Sequence, residues 1–214
     1  MPGRNTPLVN QEFYHIFNRG VNKQEIFLQP RDYKRFQQTF YYYQFSGPKP
    51  KFSLFTKSKL FTPKLDPSKK LVEVTCYCLM PNHFHFLVKQ LQENGISTFL
   101  SQLSNSFTKY FNTKYKRTGP LLQGSFKSVR VETDEQLIHL SRYIHLNPIV
   151  SLVAKKLEFY PWSSYPEYLQ GKGILSSISV LDFFPSSQNY EDFVKDQVEY
   201  GKSLDTMKHK LIDN

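Results

Sequence analysis

A chain of 214 residues is long enough for one sizeable domain, or for a domain with a small appendage. Its net charge of +10 is uneven: residues 1–130 carry +14 (20 basic against 6 acidic) and residues 131–214 carry −4 (8 against 12). No apolar run approaches the ~20 residues of a membrane span, and MPGRNTPLVNQ at the N-terminus lacks the apolar core of a signal peptide. A cytoplasmic protein is therefore expected. Cys76 and Cys78 stand too close on one strand for an ordinary disulfide, which also fits a reducing compartment.

Residues 12–18, EFYHIFN, alternate and are rich in aromatics, which predicts a strand ended by Arg19-Gly20. Pro30 and Asp32 open a helix to about Tyr43, with Phe36 and Phe40 on its buried face. Residues 44–70 hold four prolines, seven lysines and one acid, Asp66. They read as a long basic loop, with a short hairpin around 52–55 as one option. A strand over 70–79 places Val72, Val74, Cys76 and Cys78 on one face, and Met80-Pro81-Asn82 turns the chain back. In the returning strand, His83–Lys89, the period of two puts His83, His85 and Leu87 on one side and Phe84, Phe86 and Val88 on the other. Residues 95–117 follow a helical stripe, stopped at Gly119-Pro120. FKSVRVE, 126–132, alternates again. Asp134 is expected to cap a helix over 135–146 that ends at Asn147-Pro148, because a residue before proline avoids the helical region. Ser164 and Glu167 have the spacing of a capping box. The order β-α-β-β-α-β-α implies an α+β fold: a ferredoxin-like or RRM-like antiparallel sheet with helices packed on it. The expected domain covers residues 1–154, with a partly helical C-terminal extension over 155–214.

Two half-exposed histidines beside a turn are a common arrangement, and His83 with His85 form a metal-ligand pair only if a third ligand joins them. Tyr143 and Asn147, four apart on the 134–147 helix, project from one face. One is suited to act as nucleophile and the other as an oxygen ligand. Such a set leaves coordination positions open, which suits Mg2+ or Mn2+ held partly by a substrate phosphate. The tyrosine hydroxyl would then attack phosphorus. Tyr110 and Tyr115 are rival nucleophiles that spacing alone does not eliminate. Glu132 is a candidate fourth ligand. Residues 109–130 contain six basic side chains and no acid, a pattern pointing to nucleic acid. Arg19, Lys114, Lys116, Arg117, Lys127 and Arg130 are the candidate phosphate contacts. The remaining histidines, His15 and His145 among them, carry no spacing argument, and His145 lies ~200° around the helix from Tyr143.

Five segments, YHIFNRG (14–20), CLMPNHFHFLV (78–88), RTGPLLQGSFKSVRVE (117–132), LSRYIHLNPI (140–149) and YPWSSY (160–165), resemble in kind and order those of the REP-associated tyrosine transposases. These are a branch of the HUH single-strand DNA transposases, related to the single-tyrosine enzymes of insertion sequences. The resemblance spans about residues 10–170. It implies His83, His85 and Asn147 as ligands of Mg2+ or Mn2+, and Tyr143 as nucleophile. It further implies a single-stranded DNA substrate with a hairpin of the repetitive palindromic type, a 5′-phosphotyrosine intermediate, and a bacterial, nucleoid-associated setting. A self-contained monomer is expected, with a dimer as the alternative. The competing readings are a non-catalytic hairpin DNA- or RNA-binding protein of RRM-like fold and a zinc hydrolase. The tail from 171, acidic where the body is basic, is expected to lie in the DNA groove.

Overall fold

The computed structural model describes residues 7–47, 52, 65–175 and 179–198. The suggested hairpin around 52–55 therefore falls almost wholly outside the described residues. Four strands form one antiparallel sheet: β1 (Phe13–Arg19), β2 (Val72–Met80), β3 (His83–Gln90) and β4 (Lys127–Val131), in the order β2-β3-β1-β4. Helices α1 (Pro30–Tyr43) and α2 (Gly95–Lys114) provide the two crossovers, so the expected ferredoxin-like α+β sheet is the one found. The helix after β4, α3 (Asp134–Val150), is followed by the short α4 (Tyr165–Gln170) and α5 (Ser187–Lys195). Among the described residues no helix is long and apolar enough to cross a membrane.

The sheet has an interior on each side. On one side, Tyr14, Ile16, Phe84, Phe86 and Val88 meet Phe36, Phe40, Phe99 and Phe107 from α1 and α2. Phe36 touches Phe84 and Phe86 and meets Phe107 edge to face at 4.9 Å. Burial of each such ring stabilises the fold by about 1.5–3 kcal/mol. On the other side, Cys76, Cys78, Met80 and Leu87 pack against Ile144 and Ile149 of α3 and Tyr165, Tyr168 and Tyr190 beyond it.

β2 serves both interiors, contrary to the single face expected for Val72, Val74, Cys76 and Cys78. Val74 pairs with Val88 but Cys76 pairs with Leu87, so Thr75 is an extra residue in the ladder. This bulge reverses the alternation. Val72 and Val74 enter the α1/α2 core together with Tyr77 and Leu79, whereas Cys76 and Cys78 enter the α3 core. Both thiols are free and buried, and burial pushes their pKa values up. They are packing residues.

Three local expectations are corrected. Helix α3 does not stop at Asn147 but runs through Pro148 to Val150. The lost backbone donor is tolerated within its last turn, where Val153 N–H and Ala154 N–H both close onto the Pro148 carbonyl. Its cap is Thr133, which accepts from Gln136 N–H, rather than Asp134. Ser164 and Glu167 make no capping box. Ser164 Oγ bonds the Tyr77 N–H at 2.9 Å and His145 Nε2 at 2.8 Å, and Glu167 accepts from Tyr77 OH and from Ile174 and Leu175 N–H. With the bonds from Leu79 N–H to Trp162 O and from Ser164 N–H to Tyr77 O, they seal the outer edge of β2. Trp162 also stacks on Tyr33 at 4.6 Å.

The described part of the C-terminal extension packs on α3 and α4. Tyr190 OH meets His145 Nδ1 at 2.7 Å and Ser141 Oγ at 3.1 Å, and the Arg142 guanidinium covers the Phe193 ring at 4.1 Å. Residues 187–195 thus brace the back of α3 instead of lying in a groove.

Candidate active site

The β-strand period and the sheet order bring the sequence-derived set together. His83 and His85 project from β3 onto the α3 side, and their rings lie 5.0 Å apart. Tyr143 meets His85 edge to face at 5.7 Å, and its side chain is half exposed at 52%. Asn147, one helical turn on, donates from Nδ2 to the Tyr143 carbonyl at 2.8 Å. Its side chain also lies close enough to His83 and to Tyr143 to shift both pKa values. All four groups come from one chain. Tyr110 and Tyr115 are on α2, beneath the opposite face, and both donate to Asp32; they are not at this site. Glu132 is not there either. Its neighbour Val131 pairs with Phe13, whereas His83 pairs with Arg19 at the far end of β1, a separation of about 20 Å at ~3.3 Å per residue.

The electrostatics favour neutral imidazoles. Burial lowers the His83 pKa to about 4; the Asn147 side chain opposes this and the Arg19 charge adds to it. Burial lowers His85 well below the usual range, assisted by His83 and His15. At neutral pH both rings therefore keep a lone pair. His83 Nδ1 faces Asn82 Oδ1 at 2.6 Å, while Asn82 Nδ2 donates to the Lys23 carbonyl. The amide oxygen can only accept, so His83 Nδ1 carries the proton and Nε2 is the free donor atom. Burial also raises the Tyr143 pKa, partly offset by Asn147, so the phenol is protonated at neutral pH. Among the described residues no group of three or more His, Cys, Asp or Glu is arranged to hold a metal. Two imidazoles and an amide oxygen nevertheless form a donor set that fits a divalent cation sharing its sphere with phosphate and water.

One residue of the site is missing from the sequence reading. His15, on β1, has its Nε2 2.9 Å from His85 Nδ1, and the two rings stack at 5.1 Å. Its ring also meets Tyr143 at 6.0 Å. The only available signal was the alternation of β1, which puts His15, Phe17 and Arg19 on one face; their proximity to His85 follows from the β1–β3 register.

The proposed phosphate contacts divide. Arg19 and Lys127 are exposed on the site face: Arg19 pairs across the sheet with His83, and Lys127 with Phe17. Arg130 pairs with Tyr14 on the α1/α2 face and is bridged to Glu12 at 3.0 Å. Lys114 is bound to the fully buried Asp32 at 2.6 Å, where Tyr110, Tyr115 and two backbone N–H groups also converge. It neutralises an interior carboxylate and is not free for a phosphate. Arg117 bonds Asn112 Oδ1 and Pro120 O, tying its own loop. Lys116 is exposed beside it. Next to His83 a cavity of about 330 Å3 is lined by Glu25, Pro81, Asn82, Ser151 and Val153, among others.

Residues 66–147 match the model of the IS200-like transposase family. That stretch contains β2, β3, α2, β4 and α3 as far as Asn147. No curated protein matches the chain. Among solved structures, a REP-associated tyrosine transposase bound to a REP hairpin aligns with a TM-score of 0.57 and 15% identity, covering 87% of this chain and 97% of its own. A second, described as a putative transposase from Deinococcus radiodurans R1, aligns with a TM-score of 0.37 and 13% identity, covering 67% and 95%. The family resemblance read from the sequence motifs is borne out, and the fold is similar to that of the REP-associated protein.

Proposed function

Starting from a chain that resembles the IS200-like transposases, we propose that it is a metal-dependent endonuclease and strand transferase acting on single-stranded DNA beside a hairpin, with Tyr143 as nucleophile. The observation that carries this reading is the meeting of Tyr143 with His85 and Asn147 within one chain. A phenol that is half exposed, beside neutral imidazoles and at the open half of a sheet face, suits attack on an incoming phosphodiester. Tyr143 Oη bonds to phosphorus as the bond to the departing 3′ oxygen breaks, and the phenolic proton is matched by the one that oxygen takes up. The product is a 5′-phosphotyrosine and a free 3′-hydroxyl. Reversal onto another 3′-hydroxyl transfers the strand.

His83 Nε2, His85 and Asn147 Oδ1 would hold Mg2+ or Mn2+, and the bound cation would supply Lewis-acid polarisation of a phosphoryl oxygen. Arg19 and Lys127 lie on the same face and would hold flanking phosphates, while Phe17 between them offers a ring for an unpaired base. The cavity beside His83 would take the nucleotide next to the scissile bond. The hairpin in the structurally similar REP-associated protein supports a hairpin as the recognised element. Lone-chain completeness of the site supports a monomer.

The test is incubation with single-stranded hairpin DNA and Mn2+ followed by a denaturing gel. A covalent protein–DNA band is expected, absent in Tyr143→Phe and in the His83→Ala variant. A band that persists in Tyr143→Phe overturns the nucleophile, and DNA binding without any band overturns the nuclease in favour of a binding protein.

A further inference from the structure

One proton must be shared between His15 Nε2 and His85 Nδ1, which face each other at 2.9 Å. Two arrangements are possible. If His15 donates, the proton of the neutral His85 ring sits on Nε2, and that ring has no lone pair to offer a cation. If His85 donates from Nδ1, its Nε2 is free, and His15 must carry its own proton on Nδ1. For His83 the same choice is already made by Asn82, whose amide oxygen only accepts. The two histidines of β3 present matching Nε2 lone pairs only in the second arrangement.

We infer that His15 is a positioning residue: its Nε2 accepts a hydrogen bond from His85 Nδ1–H, which fixes the tautomer of His85 and aims its Nε2 at the cation site. The cation belongs to the reading proposed above, but the tautomer is a property of the protein alone. The sheet makes the contact. His15 is paired with Leu87 and His85 with Phe17 in the β1–β3 register, so the two imidazoles are diagonal neighbours on one face. Phe17 meets both rings, His15 at 4.8 Å and His85 at 5.8 Å, and packs against the pair. His85 is only 6% exposed, so water has little access to replace the acceptor. Outer partners of this kind typically change metal affinity 10–100-fold when removed.

Two measurements test it, both on the full chain. Nitrogen-15 NMR of histidine-labelled, metal-free protein at neutral pH should show His85 protonated on Nδ1 and His15 bearing a lone pair on Nε2. The opposite assignment overturns the inference outright, whatever the protein does with DNA. Mn2+ titration followed by electron paramagnetic resonance should then show 10–100-fold weaker binding in His15→Leu and substantial recovery in His15→Gln, which restores an acceptor. Equal Mn2+ affinity in wild type and His15→Leu also overturns it. If wild type binds no Mn2+, the metal-dependent reading fails, and the inferred tautomer is still decided by the first measurement.

Discussion

Acidification should loosen the bond between α3 and the C-terminal extension, and the size of the effect follows from His145. This imidazole is fully buried, between Tyr190 OH at 2.7 Å and Ser164 Oγ at 2.8 Å. Burial lowers its pKa from 6.5 to about 3. Between those values the unfolded chain binds the proton and the folded chain does not, so stability rises with pH across the window. The contribution is fully present above about pH 6.5 and is lost as pH falls toward 3. At pH 4.5 a single histidine with this shift costs about 2.5–3 kcal/mol relative to neutral pH, a large part of the ~5–15 kcal/mol typical of a domain. His15 and His83, each lowered to about 4 by burial, act with the same sign. The assay is urea unfolding at pH 7.5, 6 and 4.5 for wild type and His145→Gln. The variant is expected to start less stable and to lose about 2–3 kcal/mol less on acidification. Hydrogen exchange over residues 187–195 should accelerate in wild type at the lowest pH. An identical pH dependence in the two proteins would refute the argument.

Other expectations concern the charged groups and the extension. Lys114→Ala should lower stability by about 2 kcal/mol, because Asp32 remains buried with one charged donor fewer, yet leave the salt dependence of DNA binding unchanged. Arg19→Ala and Lys127→Ala should each reduce the log–log salt slope for single-stranded DNA by about 0.7, measured by fluorescence anisotropy across a salt series; unchanged slopes would remove both from the DNA path. Truncation after residue 172 should lower the melting temperature without tightening DNA binding, since Tyr190 and Val194 would be stripped from the α3 core. A tighter complex would instead restore the expected groove-lying tail.

Each half of the central geometry was legible from periodicity, and the family resemblance implied that the halves belong together. A period of two places His83 and His85 on one face, and a helical turn aligns Tyr143 with Asn147; packing of α3 on β2 and β3 then brings the two sets together. What escaped was set by long-range pairing. His15 gains its role only from a β1–β3 register that no local pattern announces. Lys114 looks like any member of a basic run until Asp32, 82 residues earlier, is found beneath it. Pro148 stays helical within the last turn of α3, an outcome that dipeptide preference disfavours. Thr75 has no sequence mark that separates an unpaired residue from a paired one.

That unpaired threonine has a consequence for how β2 tolerates change in length. Val72 and Val74 before it and Tyr77 and Leu79 after it all reach the α1/α2 core, and Cys76 and Cys78 reach the α3 core. Excising Thr75 would join Val74 directly to Cys76, and strict alternation would then keep Val72, Val74, Tyr77 and Leu79 on one face and Cys76 and Cys78 on the other, with Val88 and Leu87 still their partners. The strand is therefore expected to absorb a one-residue deletion at Thr75, whereas a one-residue insertion after Cys76 would swing Tyr77 and Leu79 away from the α1/α2 core.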